Sequence, residues 1–152
     1  MKVAIAADHA GYELKRFLHF ELESLGHTVV NFGTDSPEPP VDYPDCAAKV
    51  AEAVRSGEAE RGIVICGSGV GACIAANKHP GIRAGTCHDT FSAHQAVEDD
   101  DANVLCLGSR VVGSRLALEV VVAWMGARFS KAERHERRLA KILAIERKFL
   151  QG

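Results

Sequence analysis

The 152-residue chain has no surplus of either charge, no long apolar run and no paired-cysteine motif. Its 18 lysines and arginines stand against 20 acids for a net charge of −2, and neither half is basic, so no nucleic-acid partner is expected. No apolar stretch approaches the ~20 residues of a bilayer-spanning helix, so no membrane partner is expected either. The N-terminus, Met1-Lys2-Val3-Ala4-Ile5-Ala6-Ala7-Asp8, meets an acid after five apolar residues and reads as a strand, not an export signal. The five cysteines (46, 66, 73, 87 and 106) are odd in number and form no CxxC pair, which points to a reduced, cytoplasmic setting. No histidine has the spacing of HExxH, and no metal is expected.

The apolar fraction of 47% and charged fraction of 25% are those of a globular protein, and residues 1–152 suffice for one domain. Within it, strand-like and helix-like runs alternate. Val3 to Ala7 reads as a buried strand. Leu14, Phe17, Leu18, Leu22 and Leu25 then recur at helical spacing, closed by Gly26. Thr28 to Phe32 reads as a second strand and Gly33 to Pro44 as a Pro-rich loop. Ala47, Val50, Ala51 and Val54 mark a second helix, ended by Gly57. Ile63 to Cys66, Ile82 to Thr86 and Val104 to Leu107 complete five strands. The remaining helices are expected over Val70 to Asn77, over Thr90 to Glu98 with Asp89 as N-cap, over Leu116 to Met125 and over about residues 133–150.

Such alternation implies an α/β protein: a three-layer, Rossmann-like arrangement around a five-stranded parallel sheet. The flavodoxin-like order 2-1-3-4-5 is expected, with its switch point between strands one and three. That order would bring Asp8-His9 and Cys66-Gly67 to one crevice. The last helix is surplus, because the helices before it already cover five strands. It is expected to pack on a second subunit.

The segment Cys66-Gly67-Ser68-Gly69-Val70-Gly71 closes the third strand. Glycines there let the backbone approach a bound group and aim N–H donors at it. No Lys-Ser/Thr follows as in a Walker motif, and Ala72 replaces the last glycine of a dinucleotide fingerprint. An oxyanion hole for an enediolate or a cradle for a phosphorylated ligand fits better. A free cysteine is most often a small buried hydrophobe. Cys66, however, stands at a strand end before a glycine loop and a helix N-terminus, where backbone N–H groups favour the thiolate. The other four cysteines read as packing. Asp8 reads as an N-cap or, converging with Cys66, as part of a site with His9.

In the helix Glu133-Arg134-His135-Glu136-Arg137-Arg138, Glu133 pairs with Arg137 at i,i+4. Arg134 and Arg138 are also i,i+4, but are like charges without an acid at three or four residues. They read as a solvated basic face or as a phosphate grip. The run Glu98-Asp99-Asp100-Asp101 opposes the helix dipole at a C-terminus.

Taken together, Ala7-Asp8-His9-Ala10-Gly11, Asp42-Tyr43-Pro44, Ile65-Cys66-Gly67-Ser68-Gly69-Val70-Gly71, Ala75-Ala76-Asn77-Lys78, Gly81-Ile82-Arg83-Ala84, Asn103-Val104-Leu105 and Gly108-Ser109-Arg110-Val111-Val112-Gly113 resemble ribose-5-phosphate isomerase type B. The resemblance runs from residue 2 to about 147 and extends to galactose-6-phosphate isomerases. It implies an aldose–ketose isomerase in which Cys66 moves a proton between C2 and C1 of a sugar phosphate. Ser68 would serve O1 and O2, and the loop of Gly67, Gly69, Val70 and Gly71 would hold the enediolate. By the same resemblance Asp8, His9, Tyr43, Asn77, Asp100 and Arg110 line the substrate, while Arg134 and Arg138 grip its phosphate. The resemblance also implies a homodimer, or a dimer of dimers, with sites between subunits and no metal or cofactor.

One position departs from the pattern. Pentose-phosphate members carry a ring-opening histidine followed by asparagine where Asp99 and Asp100 stand. Asp99 is then itself the ring-opening acid/base, or the substrate opens unaided, or the substrate is a tetrose 4-phosphate, which forms no furanose. D-Ribose 5-phosphate is thus the leading substrate and D-erythrose 4-phosphate the alternative. A sugar-phosphate binding protein without catalysis is the reading from another class.

Overall fold

A computed structural model describes residues 1–150. The chain runs β1 (Lys2–Ala7), a 3-10 turn (His9–Gly11), α1 (Tyr12–Ser24), β2 (Thr28–Asn31), α2 (Tyr43–Arg55), β3 (Arg61–Cys66), α3 (Val70–Ala76), β4 (Ala84–Thr86), α4 (Thr90–Asp100), β5 (Val104–Gly108), α5 (Ser114–Gly126) and α6 (Glu133–Phe149). The five strands form one parallel sheet, as the alternation implied. Residues 151 and 152 of the single expected domain lie outside the described residues.

The strand order is β2-β1-β3-β5-β4, so the expected 2-1-3-4-5 is corrected at its last two places. Two physical reasons favour the exchange. β5 (VLCLG) is buried along its whole length and suits an interior position. β4 (AGT) has only three half-buried residues and suits an edge. β4 is shorter than the expected Ile82 to Thr86. Ile82 and Arg83 lead into it, and Cys87 lies beyond it. The switch point between β1 and β3 is unaffected.

The exchange also decides which face α4 covers. A right-handed crossover that steps back from β4 to β5 puts its helix on the same face as α1, which steps from β1 to β2. Ala93 and Val97 of α4 accordingly join Leu14, Leu18 and Leu22 of α1 and Val120, Val121 and Trp124 of α5. These cover Val3, Ile5, Ile63, Ile65, Leu105 and Leu107 of the sheet. The other face is built from small side chains. Ala4, Ala6, Val64, Cys66 and Cys106 meet Ala47, Val50 and Ala51 of α2 and Ala72 and Ala76 of α3.

Asp89 caps α4 as expected, accepting from the Ser92 N–H at 2.8 Å. The helix runs two residues past Glu98 and ends at Asp101 in the left-handed conformation. α6 lies against α4 through His135, whose Nε2 is 3.2 Å from Asp99 Oδ1, and the loop before it is tied there by the Ser130 N–H donating to Glu98 O at 3.0 Å; Glu146 near its far end accepts from the Gly81 N–H, before β4, at 2.8 Å. Several of its apolar residues are exposed, Ile145 by 61% and Phe149 by 70%, so this chain alone leaves an apolar stripe in water.

α2 can approach β3 because Gly62 has no side chain. A Cβ there would lie 2.2 Å from Val50 Cγ1. Gly62→Ala is expected to cost about 1–3 kcal/mol in urea unfolding, and adding Val50→Ala to recover part of the loss.

Candidate active site

A cleft of about 570 Å³ opens at the carboxyl ends of β1 and β3, the switch point of the sheet. It is lined by Asp8, Tyr43, Cys66, Gly67, Ser68, Val70, Gly71, Ile74, Arg110 and Val111. Most of the residues expected at one site therefore meet.

Cys66 ends β3 with 3% of its surface exposed, and its Sγ accepts from the Gly69 N–H at 3.2 Å. The glycine loop is wrapped back over its own strand end. Gly69, with φ of +81°, makes that turn and is the N-cap of α3. The Ser68 Oγ accepts from the Val70 N–H at 3.1 Å. Arg110 is brought in from β5: its N–H donates to Gly67 O at 3.0 Å, and its guanidinium lies over Gly67. Tyr43, at the start of α2, lays its ring against Gly71. Asp8 does what its capping role predicts: Oδ1 accepts from the Ala10 and Gly11 N–H groups at 3.0 and 3.1 Å.

His9, Gly69, Asn77, Asp99, Asp100, Arg134 and Arg138 are not in the lining of this cleft, Gly69 standing behind it. His9 Nδ1 lies 3.2 Å from both N and O of Val41 and pins the loop before α2. The Asn77 side chain pairs with the Ala84 backbone, donating to O at 3.0 Å and accepting from N at 2.8 Å. Asp99 Oδ1 lies 3.2 Å from Nε2 of buried His135, whose Nδ1 is in turn bonded to Ser130 Oγ. Asp100 and Asn77 border a separate, largely apolar groove under α6 with Ile142, Ile145 and Phe149. Neither acid lines the cleft of Cys66. Arg134 and Arg138 have neither an ion pair nor a hydrogen bond among the described residues, whereas Arg137 is paired with Glu133.

The other cysteines are less uniform than a packing role implies. On α3, Cys73 has its thiol pushed down to about 6, mainly by the hydrogen bond from Cys106 and further by Thr86. Cys106 is correspondingly raised well above its ordinary range, by that same bond and by burial. Burial and Asp89 raise Cys87 to about 11. Sequence reading also passed over three residues that hold the cleft together. Ser109 Oγ donates to Ala10 O at 2.8 Å and so ties β5 to the turn after β1. Thr86 and His88 bond to Gly69 and Gly108. Only Ser109 had a signal, its place beside Arg110. Among the described residues no group of three His, Cys, Asp or Glu side chains could hold a metal ion.

A family profile described as Ribose/Galactose Isomerase matches residues 3–142. The chain belongs to that family. Ribose-5-phosphate isomerase B of Escherichia coli (strain K12) is 46% identical over 147 residues, covering 97% of each chain. A D-erythrulose-4-phosphate isomerase of Pectobacterium atrosepticum is 45% identical over 130 residues, 85% of each. Among solved structures, the Clostridium thermocellum ribose-5-phosphate isomerase B superposes with a TM-score of 0.95 at 52% identity, covering 98% of this chain and 99% of that one. The fold of this ribose/galactose isomerase family member and its cleft at the β1/β3 switch point thus stand together.

At Gly69, behind the cleft, a Cβ would lie 2.9 Å from Leu107 C and 3.0 Å from Gly108 N, both backbone atoms. Gly69→Ala is expected to lower stability by at least about 1–2 kcal/mol, the cost of the left-handed φ alone, as read in urea unfolding.

Proposed function

We propose that this chain interconverts D-ribose 5-phosphate and D-ribulose 5-phosphate through a cis-enediolate. The observation that carries the reading is Cys66 on the floor of the cleft, its sulfur held at 3.2 Å from the Gly69 N–H inside a loop of backbone donors. As thiolate, Cys66 takes the proton from C2 of the open-chain aldose, and the C2 electron pair moves to form the enediolate. The charge then on O1 is met by loop N–H groups, the arrangement that most lowers such barriers. Ser68, on the cleft rim, moves a proton between O2 and O1. Cys66 returns its proton to C1, which leaves the ketose. Asp8, Tyr43 and Arg110 orient the sugar.

The phosphate grip falls to Arg134 and Arg138, a guanidinium pair with no ion pair or hydrogen bond among the described residues. They are absent from their own chain's cleft, and the rim of that cleft is apolar, with Val70, Ile74 and Val111 more than half exposed. A homodimer in which α6 of one subunit reaches across the cleft of the other answers both facts, and two such dimers could pair into a tetramer. His9, Asn77 and Asp100 then complete the substrate contacts from the rim and the partner side. The enzyme uses no metal or cofactor and works in the cytoplasm, where Cys66 stays reduced.

A tetrose phosphate is the second reading, and Asp99 is the observation that favours it. The position of the ring-opening group carries a carboxylate already engaged by His135. A tetrose 4-phosphate has no ring to open.

Side-by-side measurement of kcat/KM for D-ribose 5-phosphate and D-erythrose 4-phosphate, with EDTA present, is expected to favour the pentose. A strong preference for the tetrose would replace the first reading by the second. Cys66→Ala should lower kcat by about 10²–10⁴-fold while sugar-phosphate binding, followed by calorimetry, persists. Mixing that variant with Arg134→Ala should restore part of the activity, because a mixed dimer contains one intact site. No recovery would rule out the shared site.

A further inference from the structure

The N–H of Val104 reaches Arg83 O, and the N–H of Cys87 reaches Cys106 O. By the alternation of a parallel ladder, β5 turns the N–H groups of Val104, Cys106 and Gly108 to that edge. β4 has ended at Thr86, and Gly108 donates instead to Nε2 of His88 at 2.8 Å. A ring nitrogen that accepts carries no proton, so His88 is neutral with its proton on Nδ1. Burial lowers its pKa against the pull of Asp89, so the accepting form prevails at neutral pH.

Gly108 is where the cleft is attached to the sheet. The next residue, Ser109, donates its N–H to Cys66 O at 2.9 Å, and Arg110 donates to Gly67 O at 3.0 Å. A Cβ on Gly108 would lie 2.5 Å from Ser68 O, so loop and strand end are in direct backbone contact. Thr86, two residues before His88, donates its Oγ1 to Gly69 O at 3.0 Å. Gly69 in turn supplies the N–H that reaches Cys66 Sγ. Thr86 and His88 therefore hold the loop and its support from the same strand end, one as donor and the other as acceptor.

We propose that His88 is a positioning residue for the isomerase cleft. By accepting from the Gly108 N–H it holds the end of β5 against Ser68 and Gly69, and so sets where the loop N–H groups point relative to Cys66. His88 is absent from the cleft lining and acts only through Gly108. Its kinetic consequence rests on the isomerase reading; its structural consequence does not.

The test compares His88→Leu, which removes the acceptor, with His88→Gln, whose Oε1 can take the same N–H. Wild type and both variants are assayed with D-ribose 5-phosphate and D-erythrose 4-phosphate, and their ring and backbone nitrogens are followed by NMR. A misaligned cradle weakens transition-state binding more than ground-state binding. His88→Leu should therefore lose roughly ten- to hundredfold in kcat with little change in KM, and His88→Gln should recover most of it. In wild type, Nε2 of His88 should give the signal of an unprotonated acceptor, and the Gly69 and Gly108 amides should move in His88→Leu.

A folded His88→Leu with wild-type kcat, or a His88→Gln as impaired as His88→Leu, overturns the proposal. Should His88→Leu fail to fold, a protonated Nε2 in wild type or a fully impaired, folded His88→Gln does the same. A wild type that turns over neither sugar phosphate defeats the isomerase reading, and the NMR signals then decide the role of His88 alone.

Discussion

The backbone of Ser68 and Gly69 is in contact with the end of β5, and the cleft depends on that contact. Neither side leaves room for a side chain: a Cβ on Gly108 would meet Ser68 O, and one on Gly69 would meet Leu107 and Gly108. The β3–β5 ladder, which pairs Cys66 with Gly108, sets this approach from within the sheet. The loop that surrounds the Cys66 sulfur is therefore positioned by the core rather than by its own seven-residue helix. Dense packing makes such a position hard to shift by small amounts, as amide donors aimed at a developing charge require.

The two faces of the sheet have different work to do. Large side chains on one face, among them Ile5, Ile65, Leu107 and Trp124, supply most of the apolar burial. On the other face, alanines, cysteines and Gly62 let α2 and α3 come close, and this is the face from which Tyr43 and the glycine loop reach the cleft. The interior place of β5 links the two. It puts Gly108, Ser109 and Arg110 next to Cys66 and sends α4 to the far face, where α6 docks on it.

Electrostatics follows from that placement. The Asp99 carboxylate lies beside His135 and that of Asp101 beside the Arg83 guanidinium, and none of the acids of this run lines the cleft. Arg134 and Arg138 stand one turn apart with no ion pair or hydrogen bond among the described residues, an arrangement that an anion would stabilise.

Much of this was legible along the chain, because it depends on local period and local chemistry. Alternating buried runs and amphipathic helices dictated the layers. The caps Asp8 and Asp89 follow from residue type alone, and β1 and β3, neighbours in either strand order, had to bring Asp8 and Cys66 together. The order of β4 and β5 was not legible, since it turns on relative burial of two short strands and on the face that a crossover must take. Nor was the lowered thiol of Cys73, which needs Cys106 from another element. Asp99 beside His135 and His88 beneath Gly108 are pairs 36 and 20 residues apart in sequence. Sequence by itself thus determined which groups could do chemistry and on which elements they stand. Tertiary structure decided which of them face one another, because packing and ladder register act between segments that carry no mark of their neighbours.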